Sequence, residues 1–137
     1  MRHAAVYHNP ERMGYSVAGY RRACFLTNKH VTRDAVGTRV WLLTGEGRPR
    51  RYFLRGTFTV ARFESAADEG FRWRVWGEGA RYFVPLIDVT DAGWFDPFRR
   101  SQGSFAFGWQ TIAEARFVRA LERASAGAAW APAERDA

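Results

Sequence analysis

The segment spanning residues 36–63 constrains the fold of this chain more than any other part of the sequence. It contains two apolar runs, residues 38–44 and 52–63, that are rich in β-branched and aromatic side chains. Such side chains suit a pleated, half-buried surface. The loop between the runs, residues 45–51, holds two glycines and a proline, which mark a turn. The segment therefore predicts a long antiparallel hairpin with an arginine-rich tip, and this hairpin is expected to form the largest part of the core.

The second run of the hairpin alternates between apolar and polar positions. An alternation with a period of two is typical of a strand that has one buried face and one face in water. The predicted faces are Leu54, Phe58 and Val60 on the buried side and Arg55, Thr57 and Thr59 on the solvent side.

Two short strands are predicted before the hairpin. Residues 4–7 are apolar and are followed closely by Pro10, which favours a first strand that proline ends. Residues 24–27 form a small apolar run that fits either a strand or a buried bend.

Further strands are predicted after the hairpin. Residues 71–76 alternate cleanly, with Trp73 and Trp76 on opposite faces, and predict a strand. Residues 77–80 are predicted to turn the chain into a strand at residues 81–87, where Pro85 favours an edge position. Residues 104–109 are one more strand candidate.

The helices are predicted to be short. Residues 88–100 fit a short helix or a wrapped loop. Thr111 and Glu114 have the spacing of a capping box, and Gly127 marks a helix end. The apolar positions of that helix are Ile112, Ala115, Val118 and Leu121.

Together these elements predict one α+β domain over residues 1–126, followed by a flexible tail or linker at residues 127–137. Five or six strands with two or three short helices suggest a twisted sheet that closes partly into a barrel. A single cysteine, Cys24, excludes an internal disulfide framework and favours a reducing, cytoplasmic location. No apolar run approaches the length of a membrane span, so no membrane partner is expected.

The charge and aromatic content point to a nucleic-acid partner. The formal net charge is +7, almost all basic residues are arginine, and aromatic residues make up 16% of the chain, including six tryptophans. Arginine binds phosphate and stacks on flat rings, and aromatic side chains stack on unpaired bases. An arginine-rich surface without a partner explains the same composition, and composition alone leaves both interpretations open.

The sequence offers little for catalysis. The histidines are scattered, Cys24 has no evident base, and the glycines at residues 45–47 do not precede a helix as a phosphate loop requires. We therefore predict a non-catalytic domain without metal or cofactor. Two basic clusters are candidate phosphate contacts, although a solvated surface would look the same. Their members are Arg48, Arg50, Arg51 and Arg55 near the hairpin tip, and Arg21, Arg22 and Lys29 before it.

The order and spacing of these segments resemble the EVE domain, a branch of the PUA-like superfamily that also includes the YTH and ASCH domains. The resemblance covers most of the chain, although Thr38 stands where the family usually has an aspartate. The segments that carry it are the Asn9-Pro10 corner with Tyr15, residues 36–41, the glycines at residues 45–47, the Arg55-Gly56 step, residues 71–75, residues 84–86, and residues 104–112 with the helix that follows.

The resemblance implies a reader of a modified base in double-stranded DNA: methylated or hydroxymethylated cytosine, or N6-methyladenine. The base would be flipped into a pocket lined by aromatic side chains and closed by amide or hydroxyl hydrogen bonds. An ordinary turn role explains Asn9 equally well. Carried over, the resemblance assigns the pocket to His8, Asn9, Phe25, Thr27, Asn28, Trp73, Trp76 and Trp109.

Related domains occur fused to HNH-type nucleases in modification-dependent restriction systems, so a fused or separate nuclease effector is an implied partner. Two alternatives stay open at this stage. One is an RNA-binding module of the YTH or ASCH type, which a preference for ribose would distinguish. The other is a small hydrolase that uses Lys29 in the same cleft.

Overall fold

The computed structural model describes residues 1–8, 22–28, 33–105 and 109–134. Asn9, Arg21 and Lys29, which the sequence nominated for binding, lie outside these ranges. The described residues form seven strands and two α-helices. The strands are β1 (His3–His8), β2 (Cys24–Thr27), β3 (Arg39–Glu46), β4 (Arg51–Ser65), β5 (Trp73–Asp88), β6 (Trp109–Thr111) and β7 (Trp130–Ala131), and the helices are α1 (Phe95–Ser101) and α2 (Ala115–Ser125).

The strands form one mixed sheet in the order β2-β5-β4-β3-β1-β6, with β7 added to β5. Strand β1 runs parallel to β3, and the other described pairs are antiparallel. The sheet curls into a half-barrel that brings the two end strands of this order, β2 and β6, into side-chain contact through Phe25 and Trp109. The predicted α+β architecture of a partly closed barrel with flanking helices is confirmed at this level.

Two hydrophobic cores lie on the two faces of the sheet. The inner core fills the concave face of the half-barrel and the outer core joins the convex face to both helices. The largest members of the inner core are Val40, Leu42, Phe58, Val60, Val75, Tyr82 and Trp109. The outer core includes Trp41, Leu43, Leu54, Phe83, Phe95, Phe98, Phe117 and Leu121.

The predicted hairpin is confirmed as β3 and β4, but the predicted faces of β4 are wrong. Leu54 packs in the outer core, whereas Phe58 and Val60 pack in the inner core. The β3–β4 register shifts between Leu42 and Leu43, so Arg55 is an extra residue on β4. Such a bulge reverses the alternation of side chains along a strand.

The predicted turn at residues 77–80 is also wrong, because β5 continues through it. Gly77 pairs with Val60 of β4 and lies under the ring of Phe58. Gly79 has a φ of +62°, next to a shift in the β4–β5 register. The glycines therefore permit close packing and a bulge within a strand rather than a change of direction.

The C-terminal elements begin later than predicted. Ser104 and Phe105 have left-handed φ angles of 54° and 64°, so the described part of the strand predicted at residues 104–109 starts at Trp109. Helix α2 begins after Glu114, and no side-chain hydrogen bond caps it, so the predicted capping box with Thr111 is wrong.

Two residues of the predicted tail belong to the sheet. Ala131 pairs with Tyr82, and Trp130 pairs with Phe83, which forms β7 on the edge of β5. Gly127, predicted to end the helix, has a φ of +74° and follows α2. Within the described ranges, no helix has the length and apolar character needed to cross a membrane.

Candidate functional site

Two aromatic side chains join the edge strands of the half-barrel. Phe25 of β2 and Trp109 of β6 stack with ring centroids 5.4 Å apart and an angle of 27° between their planes. Phe58 of β4 lies behind them, with its ring 6.1 Å from that of Phe25. We call Phe25, Phe58 and Trp109 the seam cluster. Among the described strands no hydrogen-bonded ladder joins β2 to β6, so side chains alone close the half-barrel here.

Thr27 and Trp73 extend the seam cluster along β2. Thr27 follows Phe25 on the same face of β2 by strand alternation, and it pairs with Trp73 of β5 across the ladder. Trp73 packs against the inner core and makes an edge-to-face contact with Phe63, at 5.4 Å between centroids. The sequence thus nominated four residues, Phe25, Thr27, Trp73 and Trp109, that the fold places on one inner surface.

Asn28 and His8 have structural roles near this surface. The Asn28 side-chain oxygen accepts a hydrogen bond of 3.0 Å from the backbone N–H of Arg72, which ties the end of β2 to β5. The His8 carbonyl accepts a hydrogen bond from the Thr44 hydroxyl. The register places His8 and Thr27 at opposite ends of β4, so the sheet itself does not bring these two predicted pocket residues together.

Trp76 does not share a face with the other predicted pocket tryptophans. It lies an odd number of positions from Trp73, so its side chain points to the outer surface of β5. There the indole N–H donates a hydrogen bond of 3.0 Å to Glu64, and the guanidinium of Arg62 lies 4.8 Å from the ring centroid. Trp76 therefore cannot form a single pocket with Trp109.

The hairpin tip carries three of the predicted phosphate contacts. Arg48 and Arg50 lie in the turn, and Arg51 begins β4. Arg51 donates hydrogen bonds of 2.6 Å to Asp88 and 2.7 Å to Asp91, which raise its pKa above the ordinary value. Arg51 is therefore already bound to two carboxylates.

Arg55 is buried rather than exposed at the tip, so its predicted place in that patch is wrong. Only 7% of the residue is accessible, and its guanidinium carbon lies 5.4 Å from the ring centroid of Tyr82 in the inner core. The bulge at Arg55 turns the side chain inward. The Tyr82 hydroxyl in turn donates to the carbonyl of Arg22, an exposed residue just before β2.

Two of the arginines around Trp76 were missed by sequence reasoning, whereas the third, Arg22, was nominated as a phosphate contact. Arg62 and Arg74 flank Trp76 on β4 and β5, but no motif in the sequence marks them. The alternation of residues 71–76 did place Arg74 and Trp76 on one face. The contribution of Arg62 depends on the strand register, which the sequence does not reveal.

In the described part of the chain, no group of three or more His, Cys, Asp and Glu side chains could hold a metal ion. The described residues thus form an aromatic seam in which Phe58 and Trp109 are buried, and a separate group of guanidiniums around Trp76 on the outer face. Aromatic rings suit flat ligands and guanidinium groups suit anionic ones. Compared with protein-family models and with curated proteins, the chain matches none.

Proposed function

We propose that this chain is a non-catalytic nucleic-acid-binding domain of PUA-like type that reads a modified base in double-stranded DNA. The proposal rests on one observation, the stacked pair of Phe25 and Trp109 at the seam. Their rings stack with an angle of 27° between the planes, and they belong to edge strands that no described ladder connects. The flipped base would lie between these two rings.

Opening the seam separates Phe25 from Trp109, at the cost of their contact, and spares the ladders of the sheet. Separating β2 from β6 by a few ångströms breaks no hydrogen bond of the described ladders. Each face of the base then gains an aromatic partner, and stacking of this kind is worth about 1–3 kcal/mol per base. That gain offsets the few kcal/mol that flipping a base out of a duplex costs. Phe58 forms an apolar back wall to the opening.

Recognition of the modification needs more than stacking, because stacking accepts every base. A buried methyl group adds only about 0.8 kcal/mol. Thr27 and Trp73 supply a hydroxyl and an indole N–H on the same inner surface, and such groups distinguish base edges when the wrong base leaves them unpaired. We therefore assign stacking to Phe25 and Trp109 and edge recognition to Thr27 and Trp73.

Phosphate contacts would supply affinity that does not depend on the base. Arg48 and Arg50 at the hairpin tip and Arg22 beside β2 are the candidates, and the net charge of +7 favours approach to an anionic duplex. Binding is then expected to weaken steeply with salt for every duplex, while the preference for a modified base depends on the seam.

The test is a titration of the full chain with matched duplexes. The probes carry 5-methylcytosine, 5-hydroxymethylcytosine, N6-methyladenine or no modification, with single-stranded RNA as a further probe. We expect one modified duplex to bind more tightly than the unmodified duplex. Phe25→Leu keeps apolar volume but removes one stacking face, so it should abolish this preference. Trp130→Leu is the matched control, because Trp130 is 49% exposed on β7.

Three outcomes contradict the proposal. Equal binding of all duplexes excludes base reading, and unchanged preference in Phe25→Leu excludes the seam as its site. Tighter binding of RNA than of every duplex, lost with deoxyribose in the same strand, would favour the RNA-binding alternative. Circular dichroism of each variant establishes that it is folded.

A further inference from the structure

A second aromatic site lies on the outer face of the sheet, beside the seam. Trp76 of β5 pairs with Cys24 of β2 on one side and with Arg62 of β4 on the other. Three guanidinium groups surround its ring: those of Arg62, Arg74 and Arg22 lie 4.8, 5.8 and 5.9 Å from the centroid.

Two carboxylates, those of Glu64 and Glu69, pair with arginines of this group. Glu64 accepts hydrogen bonds from the Trp76 indole and from Arg74, and these lower its pKa, so it is charged at neutral pH. Glu69 pairs with Arg74 as well. Arg74, with a side chain 20% exposed, is thus fixed by two acids. The Arg62 guanidinium donates a hydrogen bond of 3.4 Å to Glu64, and because its side chain is 61% exposed it stays accessible to an anion from solvent.

Arg72 adds a further exposed cation next to the end of β2. It lies in the bend immediately before β5, two positions before Arg74, and its backbone N–H is bound to the side chain of Asn28. We call Arg22, Arg62, Arg72, Arg74 and Trp76 the outer arginine surface. Among the described residues, Glu64 pairs with Arg62 and Arg74, and Glu69 pairs with Arg74. Arg22 and Arg72 add exposed positive charge at the same edge of the sheet.

We infer that the outer arginine surface binds the phosphodiester backbone of the nucleic acid whose base enters the seam. This inference rests on the proposed function. Strand β2 is the edge strand between the two sites, with Phe25 on its inner face and Cys24, which pairs with Trp76, pointing to the outer face. A duplex that delivers a base to the seam must pass its backbone over this edge. Guanidinium groups held within 6 Å of the Trp76 ring centroid are positioned in advance for phosphate oxygens.

The first test compares two double variants that change the net charge equally. Arg62→Gln/Arg72→Gln alters the outer arginine surface, and Arg119→Gln/Arg123→Gln alters exposed arginines on α2. With unmodified duplex as probe, each lost phosphate contact should make the negative slope of log affinity against log salt shallower by about 0.9. That corresponds to about eightfold weaker binding per contact at 0.1 M salt, relative to 1 M.

We expect the slope to become less negative by about 1.8 in the first double variant and to change much less in the second. The ratio of affinities for modified and unmodified duplex should be unchanged in both. Equal slopes in the two double variants would overturn the inference. The salt dependence does not involve base preference, so it also separates the two proposals. If the wild type binds modified and unmodified duplexes equally, base reading is excluded. The slopes of the two double variants still test the phosphate-binding surface.

The second test reverses the sign of the effect. Glu64→Gln keeps an acceptor for the Trp76 indole and removes a negative charge from the surface, so it should tighten binding to unmodified duplex. Glu122→Gln on α2 makes the same change in net charge and should have little effect. Weaker binding by Glu64→Gln, or equal tightening by both variants, would contradict a phosphate-binding role.

Discussion

The ring of Phe58 on β4 lies directly against the α-carbon of Gly77 on β5. A β-carbon at Gly77 would come within 2.0 Å of the Phe58 ring, far inside van der Waals contact. Both residues belong to the wall of the inner core, and Phe58 also contacts Phe25 at the seam. The absence of a side chain at Gly77 therefore sets the position of an aromatic ring in the candidate site.

We expect Gly77→Ala to destabilise the fold, because Phe58 and the two strands must move apart to accept the methyl group. Overpacking of this kind costs about 1–3 kcal/mol. Urea unfolding measures the loss. Gly93→Ala is the control, because Gly93 has no atom within 4 Å of the added carbon and lacks a left-handed φ. Similar midpoints for the two variants would show that the contact with Phe58 is not rigid.

The fold was predictable where a pattern continued without interruption. The long apolar runs of β3 and β4 fixed the hairpin, because few alternatives accommodate so many β-branched and aromatic residues. The bulge at Arg55 was not predictable, since one extra residue leaves composition unchanged while it reverses the faces on either side. The turn predicted at Gly77 was wrong for a related reason, because a turn and a close contact between strands both need a residue without a side chain.

The candidate site was predictable only in part. The resemblance nominated Phe25 and Trp109, which the fold brings together although they are far apart in the sequence. It also nominated Trp76, which the alternation of β5 places on the opposite face. Arg62 was missed because its position beside Trp76 depends on the pairing of β4 with β5. Contacts between strands depend on the register of strand pairing, and a local sequence pattern does not predict that register.

We expect stability to fall as the pH drops below about 6.5, through His3. Its Nδ1 accepts a hydrogen bond of 3.1 Å from the Trp41 indole, which requires an unprotonated nitrogen. Burial is the main cause that lowers the pKa of His3, with Arg39 and the N-terminus acting in the same direction and Glu122 opposing. The unfolded chain therefore takes up this proton at a higher pH than the folded chain, and protonation favours unfolding.

Urea midpoints between pH 7.5 and pH 5 measure the effect. His3→Gln has an acceptor oxygen for Trp41 and no titratable group, so its midpoints should depend less on pH. An identical pH dependence in wild type and His3→Gln would assign the effect to other groups.

Asp88 should contribute stability at neutral pH that acid removes. The hydrogen bond from Arg51 is the main cause that lowers the pKa of Asp88 to about 2. Because the folded pKa lies below the ordinary value of 3.8, this stability is present above pH 4 and is lost as the pH falls toward 2. The carboxylate is 36% exposed, so solvent screening limits the contribution to about 1 kcal/mol or less.

The comparison of Asp88→Asn with wild type at pH 6 and at pH 2 checks this expectation. The variant should be less stable at pH 6, and the difference should shrink at pH 2. Asp91→Asn is the control, since Asp91 is 82% exposed and should matter less. A difference between Asp88→Asn and wild type that is constant across pH would exclude the ion pair as its source.

Arg55→Lys should destabilise the inner core although it conserves the charge. The Arg55 guanidinium lies over Tyr82, and Arg55 is 7% exposed. Lysine is a more strongly hydrated point charge that cannot stack in the same plane, so burying it there costs more. We expect a loss on the order of 2 kcal/mol, as for a desolvated cation–π contact.

Arg62→Lys is the matched control for this substitution, because Arg62 lies over Trp76 at 4.8 Å but has a side chain 61% exposed. An exposed contact of this type is worth about 0.5–1 kcal/mol, so this variant should lose less. Thermal unfolding of the two variants gives the comparison. If Arg55→Lys were as stable as Arg62→Lys, burial would not strengthen the contact with Tyr82, and the inward turn of Arg55 at the bulge would be without energetic consequence.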